Sequence, residues 1–137
     1  MQELEAINIT HLDTNIQKID DLFWKLYKKV DIATQKSLEY EIYYFCTDVA
    51  KLERIYARNL YKFNSFIDSK FWEERAKQNS DLATTKKLNV DNREAKSLLE
   101  LQDMVMDRLH KKEETFKRLA NFINNERINA LAVAKSI

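Results

Sequence analysis

Residues 50–63 read AKLERIYARNLYKF, and this stretch decides how the chain folds. It sets a glutamate, two tyrosines and four cations into a run of strong helix formers. At 100° per residue, Leu52, Tyr56, Leu60 and Phe63 gather on one side of the helix. Lys51, Arg54, Arg58 and Lys62, spaced three, four and four, fall within about 80° on another side. One helix thus has a dry side and a cationic side.

The rest of the chain extends the same kind of element. There is no glycine and no proline in 137 residues. Tight hairpins, P-loops and dinucleotide-binding turns need the backbone freedom that glycine supplies, so these architectures are excluded. The fold class that remains is all-α. With 45% apolar residues the chain can bury a modest core in one domain, residues 1–137.

The apolar periodicity gives three segments. Leu12, Ile16, Ile19, Phe23, Leu26 and Val30 make the first stripe, with THLD and TNIQ near its start resembling capping arrangements. The face then turns by roughly a quarter turn at residues 31–37. It resumes as Leu38, Ile42, Phe45, Val49, Leu52, Tyr56, Leu60, Phe63 and Ile67. With no breaker at the shift, the pattern predicts one long helix over about residues 12–79, followed by a polar connection over about 80–91. Asp91 and Glu94 form a capping box for a second helix over about 92–123. Its stripe is Leu98, Leu101, Val105, Leu109, Phe116, Leu119 and Ile123. A short helix over about 125–137 is expected after Asn124 and Asn125.

A helix from residue 12 to 79 would measure roughly 100 Å at 1.5 Å per residue. It cannot bury its stripe in a compact globule of this size, so it calls for another long helix from this chain or a second copy. The expectation is an elongated antiparallel long-helix bundle that pairs as a coiled-coil homodimer. Leu38, Ile42, Phe45, Leu52, Tyr56, Leu60 and Phe63 are its core and dimer-packing positions.

Catalytic chemistry finds no foothold. His11 and His110 lie far apart in sequence and outside metal-ligand spacings, and the Asp107–His110 pair reads as a surface pair one turn apart. The carboxylates are interleaved with lysines on polar faces, whereas a di-metal bundle turns them inward. Cys46 reads as a buried structural thiol and, as a lone cysteine, suits a reducing compartment. No enzyme activity, metal or cofactor is expected. No apolar run approaches the roughly 20 residues of a membrane span, and the N-terminus lacks the order of a signal peptide. The expected location is cytoplasmic.

Charge is informative only locally, because 23 basic and 22 acidic residues leave a net charge of +1. Beyond the stripe at Lys51, Arg54, Arg58 and Lys62, cations gather at Arg108, Lys111, Lys112, Lys117 and Arg118, and at Lys25, Lys28 and Lys29. Such stripes are either solvated faces or surfaces for a polyanion. An anionic membrane gains about 1 kcal/mol per cation near its surface. Nucleic acid fits less well with so small a net charge and is not expected as a partner.

From Leu38 to Phe63 the sequence resembles the N-terminal signature of F-BAR domains, within the BAR superfamily of membrane-curving helical dimers. That signature is approximately an aromatic residue two to four positions before R-A-x-[IL]-E-x-x-Y-A-x-x-L. Here Ile42, Phe45, Ala50, Leu52, Glu53, Tyr56, Ala57 and Leu60 match it without a gap, while Val49 replaces the arginine. Later, SLLELQDMVMDRLHKKEETFKRL is similar to the central helix of sorting-nexin-type BAR domains. The match is strong over about 25 residues, in a chain about half as long as an F-BAR domain. The resemblance implies a crescent-like homodimer that binds anionic phospholipid, with no catalysis and no cofactor. It gives the Glu-Tyr-Ala-Leu residues a packing role. Face geometry alone points to Lys51, Arg54, Arg58 and Lys62 as lipid-facing, with Lys111 and Lys112 next.

Two functions fit these residues. One is a non-catalytic dimerisation module that binds and senses or generates membrane curvature in trafficking or endocytosis coupled to the cytoskeleton. The other is a structural bundle or coiled-coil scaffold subunit that binds other cytoplasmic proteins and not lipid.

Overall fold

The structure, a computed structural model, describes residues 3–136. Among these residues the chain is all-α, with four helices and no strand. An irregular N-terminal segment leads into α1, Thr10–Lys28, followed by α2, Ile32–Arg75. The shorter α3, Asp81–Asp91, leads to α4, Arg93–Ser136.

The single helix expected over residues 12–79 is broken twice. At the first break Lys29 is extended, with φ −155° and ψ 121°. The Asp31 carboxylate accepts the amides of Ala33 and Thr34 at 3.3 and 3.2 Å and starts α2 as its N-cap. The quarter-turn shift of the apolar face therefore marks a change of helix. The break after Arg75 has a similar cause: Ser80 Oγ accepts the amide of Ala83 at 3.1 Å and begins α3. Residues 81–91, expected as a polar connection, are helical because Thr84 and Leu88 find buried positions. Thr84 satisfies its hydroxyl by donating to the Ser80 carbonyl at 2.9 Å.

The other helix ends differ as well. Asn8 Oδ1, outside the THLD and TNIQ stretches, accepts the amide of Thr10 at 3.0 Å. Asp91 lies within α3 and pairs with Lys87 at 2.9 Å. The α3–α4 boundary is instead marked by Asn92, whose backbone and side-chain N–H groups both donate to the Leu88 carbonyl. At Asn124 the helix does not stop, and α4 runs on to Ser136. The Asn124 side chain is engaged with Gln35 and Arg127 and does not compete for the backbone.

The chain divides into two compact units. One holds the N-terminal segment to residue 7 together with residues 51–107. The other holds residues 8–50 and the chain from residue 108 onward.

In the second unit α1 folds back on the first half of α2 as a helical hairpin. Asn15 Nδ2 donates to Glu41 Oε2 at 2.6 Å, and His11 lies 3.5 Å from Asp48. The second half of α4 packs against both. Leu12, Ile19 and Leu26, seven residues apart on α1, are buried with Leu38, Ile42, Phe45 and Val49 of α2. Leu109 and Phe116 of α4 complete this core. Phe116 is its centre: its ring lies 5.3 Å from Phe45 in a T-shaped pair and 6.2 Å from Phe23.

In the first unit the remainder of α2 faces α3 and the first half of α4. Leu52, Asn59 and Phe63 are buried, as are Leu88, Leu99, Gln102 and Met106. Two sequence expectations are corrected here. Leu60 is 37% exposed and Asn59 takes the core slot, one residue earlier. On α4, Leu98 and Leu101 are 36% and 57% exposed, while Leu99 and Gln102 face inward. Both shifts follow from one polar pairing, described below, that sets these positions. The buried core residues pack within this chain.

Replacing Phe116 by alanine removes a ring that touches both neighbouring helices. We expect Phe116→Ala to lower the unfolding free energy by about 3–5 kcal/mol in urea denaturation followed by circular dichroism. Leu82→Ala, at an exposed site on α3, should change it by less than about 1 kcal/mol.

Candidate functional site

The cationic face lies in the first unit, on the part of α2 that follows Ala50. Lys51, Arg54 and Arg58 are exposed and Lys62 is half-buried. Val49, Leu52, Asn59 and Phe63 are buried on the other side of the helix, centred roughly 130° away at 100° per residue. The stretch AKLERIYARNLYKF is therefore amphipathic in the sense read from sequence, with Asn59 as an unforeseen member of its dry side.

That asparagine holds the N-terminal segment in place. Asn59 Oδ1 accepts the backbone N–H of Glu5 at 2.9 Å, and Asn59 Nδ2 donates to the Glu5 carbonyl at 2.9 Å. The same amide donates to Gln102 Oε1 at 3.0 Å, and Gln102 Nε2 donates to the Glu5 carbonyl at 3.0 Å. Two buried side-chain amides thus complete the hydrogen bonds of one backbone residue, the condition under which buried polar groups are tolerated. A polar pair in a helical seam also fixes register, because a slip would leave both amides unsatisfied.

The anchored segment brings a carboxylate onto the cationic face. Arg58 Nη2 donates to Glu5 Oε2 at 3.0 Å. This bond, with the charges of Arg58 and Lys62, holds the Glu5 carboxyl below its ordinary value. The pair is exposed, and its contribution is present above the ordinary glutamate value and fades as pH falls through the lowered one.

Tyr56 and Glu53, the residues that first suggest chemistry, lie off this face. The Tyr56 hydroxyl donates to Asp103 Oδ1 at 3.2 Å on α4, and partial burial, with that carboxylate, raises the phenol above its ordinary value. Tyr56 is half-buried and Glu53 is exposed.

Lys111 and Lys112 belong to the second unit. Lys111 is exposed, whereas Lys112 is half-buried with its Nζ 5.4 Å from the centre of the Phe116 ring. The six proposed lipid-facing cations are thus divided between the two units.

Cys46 also lies in the second unit. It is half-buried beside Glu113, and burial together with that carboxylate pushes the thiol upward. Glu113 accepts from Lys117 Nζ at 3.2 Å. His110 is 3.9 Å from the same residue. Among the described residues no group of three or more His, Cys, Asp or Glu side chains is placed to hold a metal ion. No helix described is long and apolar enough to cross a membrane.

Compared with protein-family models, curated proteins and solved structures, the chain gives no significant match.

Sequence reasoning missed Glu5, Asn59 and Gln102. A trace of the signal exists: counted in steps of three and four from Phe45, Val49 and Leu52, a core slot falls on Asn59 when Leu60 is passed over.

Two measurements check this geometry. Asn59→Leu should lower stability by about 2–3 kcal/mol, because it strands the Glu5 backbone and the Gln102 amide, and should speed hydrogen exchange at the Glu5 amide. Cys46 should react with iodoacetamide at pH 8 more slowly than a free cysteine, and Glu113→Gln should narrow that gap.

Proposed function

We propose that the chain is a non-catalytic, BAR-type membrane module that binds anionic phospholipid through the cationic face of α2. It acts as an elongated homodimer at the cytoplasmic surface of membranes undergoing trafficking or endocytosis. The observation that carries this reading is the segregation of Lys51, Arg54 and Arg58 from the buried side of the same helix. The Glu-Tyr-Ala-Leu resemblance around Glu53 and Leu60 supports it. Four cations gather on this helix face, with the Glu5 carboxylate at Arg58, and each cation near an anionic surface adds about 1 kcal/mol of attraction. The exposed Leu98, Leu101 and Met104 of α4 support pairing with a second copy, since intrachain packing leaves these residues uncovered. Lys111 and Lys112 add to the lipid-facing set from the second unit.

The same uncovered apolar residues support a second reading, a helical scaffold that binds other proteins and not lipid. Co-sedimentation with liposomes separates the two. Vesicles containing phosphatidylserine should pellet the protein at low salt, and neutral phosphatidylcholine vesicles should not. Lys51→Glu/Arg54→Glu/Arg58→Glu should weaken binding on the order of 100-fold, from three cations at about 1 kcal/mol each. Glu5→Gln, which removes the counter-charge, should strengthen it about fivefold. Equal pelleting of the triple variant, or none of the wild type on anionic vesicles, rejects the lipid reading. Sedimentation equilibrium reports the dimer, with Leu101→Asp expected to dissociate it.

A further inference from the structure

The second unit is a three-helix bundle in which α1 and α4 both pack on α2, and where these two meet they leave a groove. Its volume is about 810 Å³, and no residue of α2 lines it. Leu26, Phe23 and Ile123 form its apolar base. Three aromatic side chains stand at its lip: Trp24, Tyr27 and Phe122 are 64%, 83% and 62% exposed. Single exposed aromatics need no explanation, but three converging from two helices on one groove mark an interaction surface.

The charged residues that line this groove are of one sign. Asp20 and Asp21 line it from α1 and Glu126 from α4, and no Lys, Arg or His belongs to the lining. Asp21 also lines a neighbouring pocket between α1 and α2, which holds Lys18 and Lys25. An anionic membrane would be repelled by carboxylates on both walls. We propose that the groove takes a cationic amphipathic helix of another polypeptide, which completes a four-helix bundle. Two adjacent helices present ridges between which a third helix lays its apolar stripe at i, i+3, i+4 and i+7. Lysines or arginines flanking that stripe meet Asp20 and Asp21 on one wall and Glu126 on the other. Trp24, Tyr27 and Phe122 supply the large rigid contacts that dominate such interfaces. The cationic face of α2 shares no residue with this groove, so the inference goes beyond the membrane reading and fails or stands separately from it.

The full chain carrying Trp72→Phe leaves Trp24 as its single tryptophan and as a reporter at the lip. The probe is a five-turn peptide of about 18 residues, with leucine at the stripe positions and lysine beside them. Titration should shift Trp24 emission to the blue and saturate at one peptide per chain, with Kd on the order of 10 μM or tighter. The same peptide with glutamate for lysine should bind at least about tenfold more weakly. Phe122→Ala and Asp20→Lys/Glu126→Lys should each weaken binding about tenfold or more while leaving far-ultraviolet circular dichroism unchanged. Lys51→Glu/Arg54→Glu should bind as the parent does.

The inference is overturned if the two peptides bind alike, if neither shifts Trp24, or if the groove variants retain full affinity. It is equally overturned if sedimentation shows a dimer that Phe122→Ala dissociates and the peptide cannot displace. In that case the occupant is a second copy. A Trp24 shift produced by phosphatidylserine vesicles in place of the peptide would make it a lipid site.

Discussion

A chain without glycine or proline has few ways to stop a helix, and this structure depends on how it does so. No residue described adopts a left-handed cap and no proline stops a helix, so boundaries are marked by short polar side chains that outcompete the next helical hydrogen bond. Asp31 does this for α2, Ser80 for α3, and Asn92 closes α3 by doubling its bonds to the Leu88 carbonyl. Between those points nothing interrupts α2 or α4, each of which runs for 44 residues. The capping side chains therefore fix which stretch can face which. The hairpin of α1 and α2 exists because Asp31 accepts amides that a continuous helix would have bonded to its own carbonyls.

Long helices create a second problem, that of register. Apolar seams repeat every seven residues and tolerate sliding by one repeat, whereas hydrogen-bonded polar layers do not. In the first unit Asn59 and Gln102 form such a layer, with the backbone of Glu5 as its third member. The position adjacent to Asn59 is Arg58, and the anchored residue is Glu5, so the structural clamp also sets the electrostatics of the cationic face. Fixing the Glu5 backbone brings its carboxylate to Arg58 at 3.0 Å. An exposed ion pair of this kind contributes little to stability, and its larger effect is to reduce the local positive potential.

The sequence was legible where one periodicity had one explanation. The all-α class, the buried series Leu38, Ile42, Phe45, Val49 and Leu52, and the cationic side of α2 could be read because side chains three and four apart share a face on any helix. It was not legible where the choice lay between an apolar and a polar residue one position apart. Leu60 looked like core and Asn59 did not, but a satisfied amide can occupy a seam at little net cost while a leucine can sit half in water. Leu98 and Leu101 misled in the same way against Leu99 and Gln102. Once Gln102 is placed opposite Asn59, the inward face of α4 is set by that pairing. The N-terminal segment carried no periodic pattern at all, and its anchorage depends on backbone hydrogen bonds that any sequence could make.

The net charge of +1 conceals the feature most relevant to binding. Within the first unit four cations share a helix face that Glu5 meets at Arg58; within the second, three carboxylates and no cation line an aromatic groove. The two surfaces also differ in what lies beneath the charge. Behind Lys51, Arg54 and Arg58 the helix is packed, so those side chains offer charge with little apolar area and suit a diffuse anionic surface that needs no fitted contact. Around Asp20, Asp21 and Glu126 the apolar area is open, so charge there would orient a ligand whose binding energy would come from burying Trp24, Tyr27 and Phe122. Salt separates these regimes physically. Attraction between exposed charges is largely screened within a Debye length of about 8 Å at physiological ionic strength, whereas burial of aromatic surface is not. Binding to the α2 face should therefore disappear as salt rises, and binding in the groove should lose its preference for cations while keeping much of its affinity.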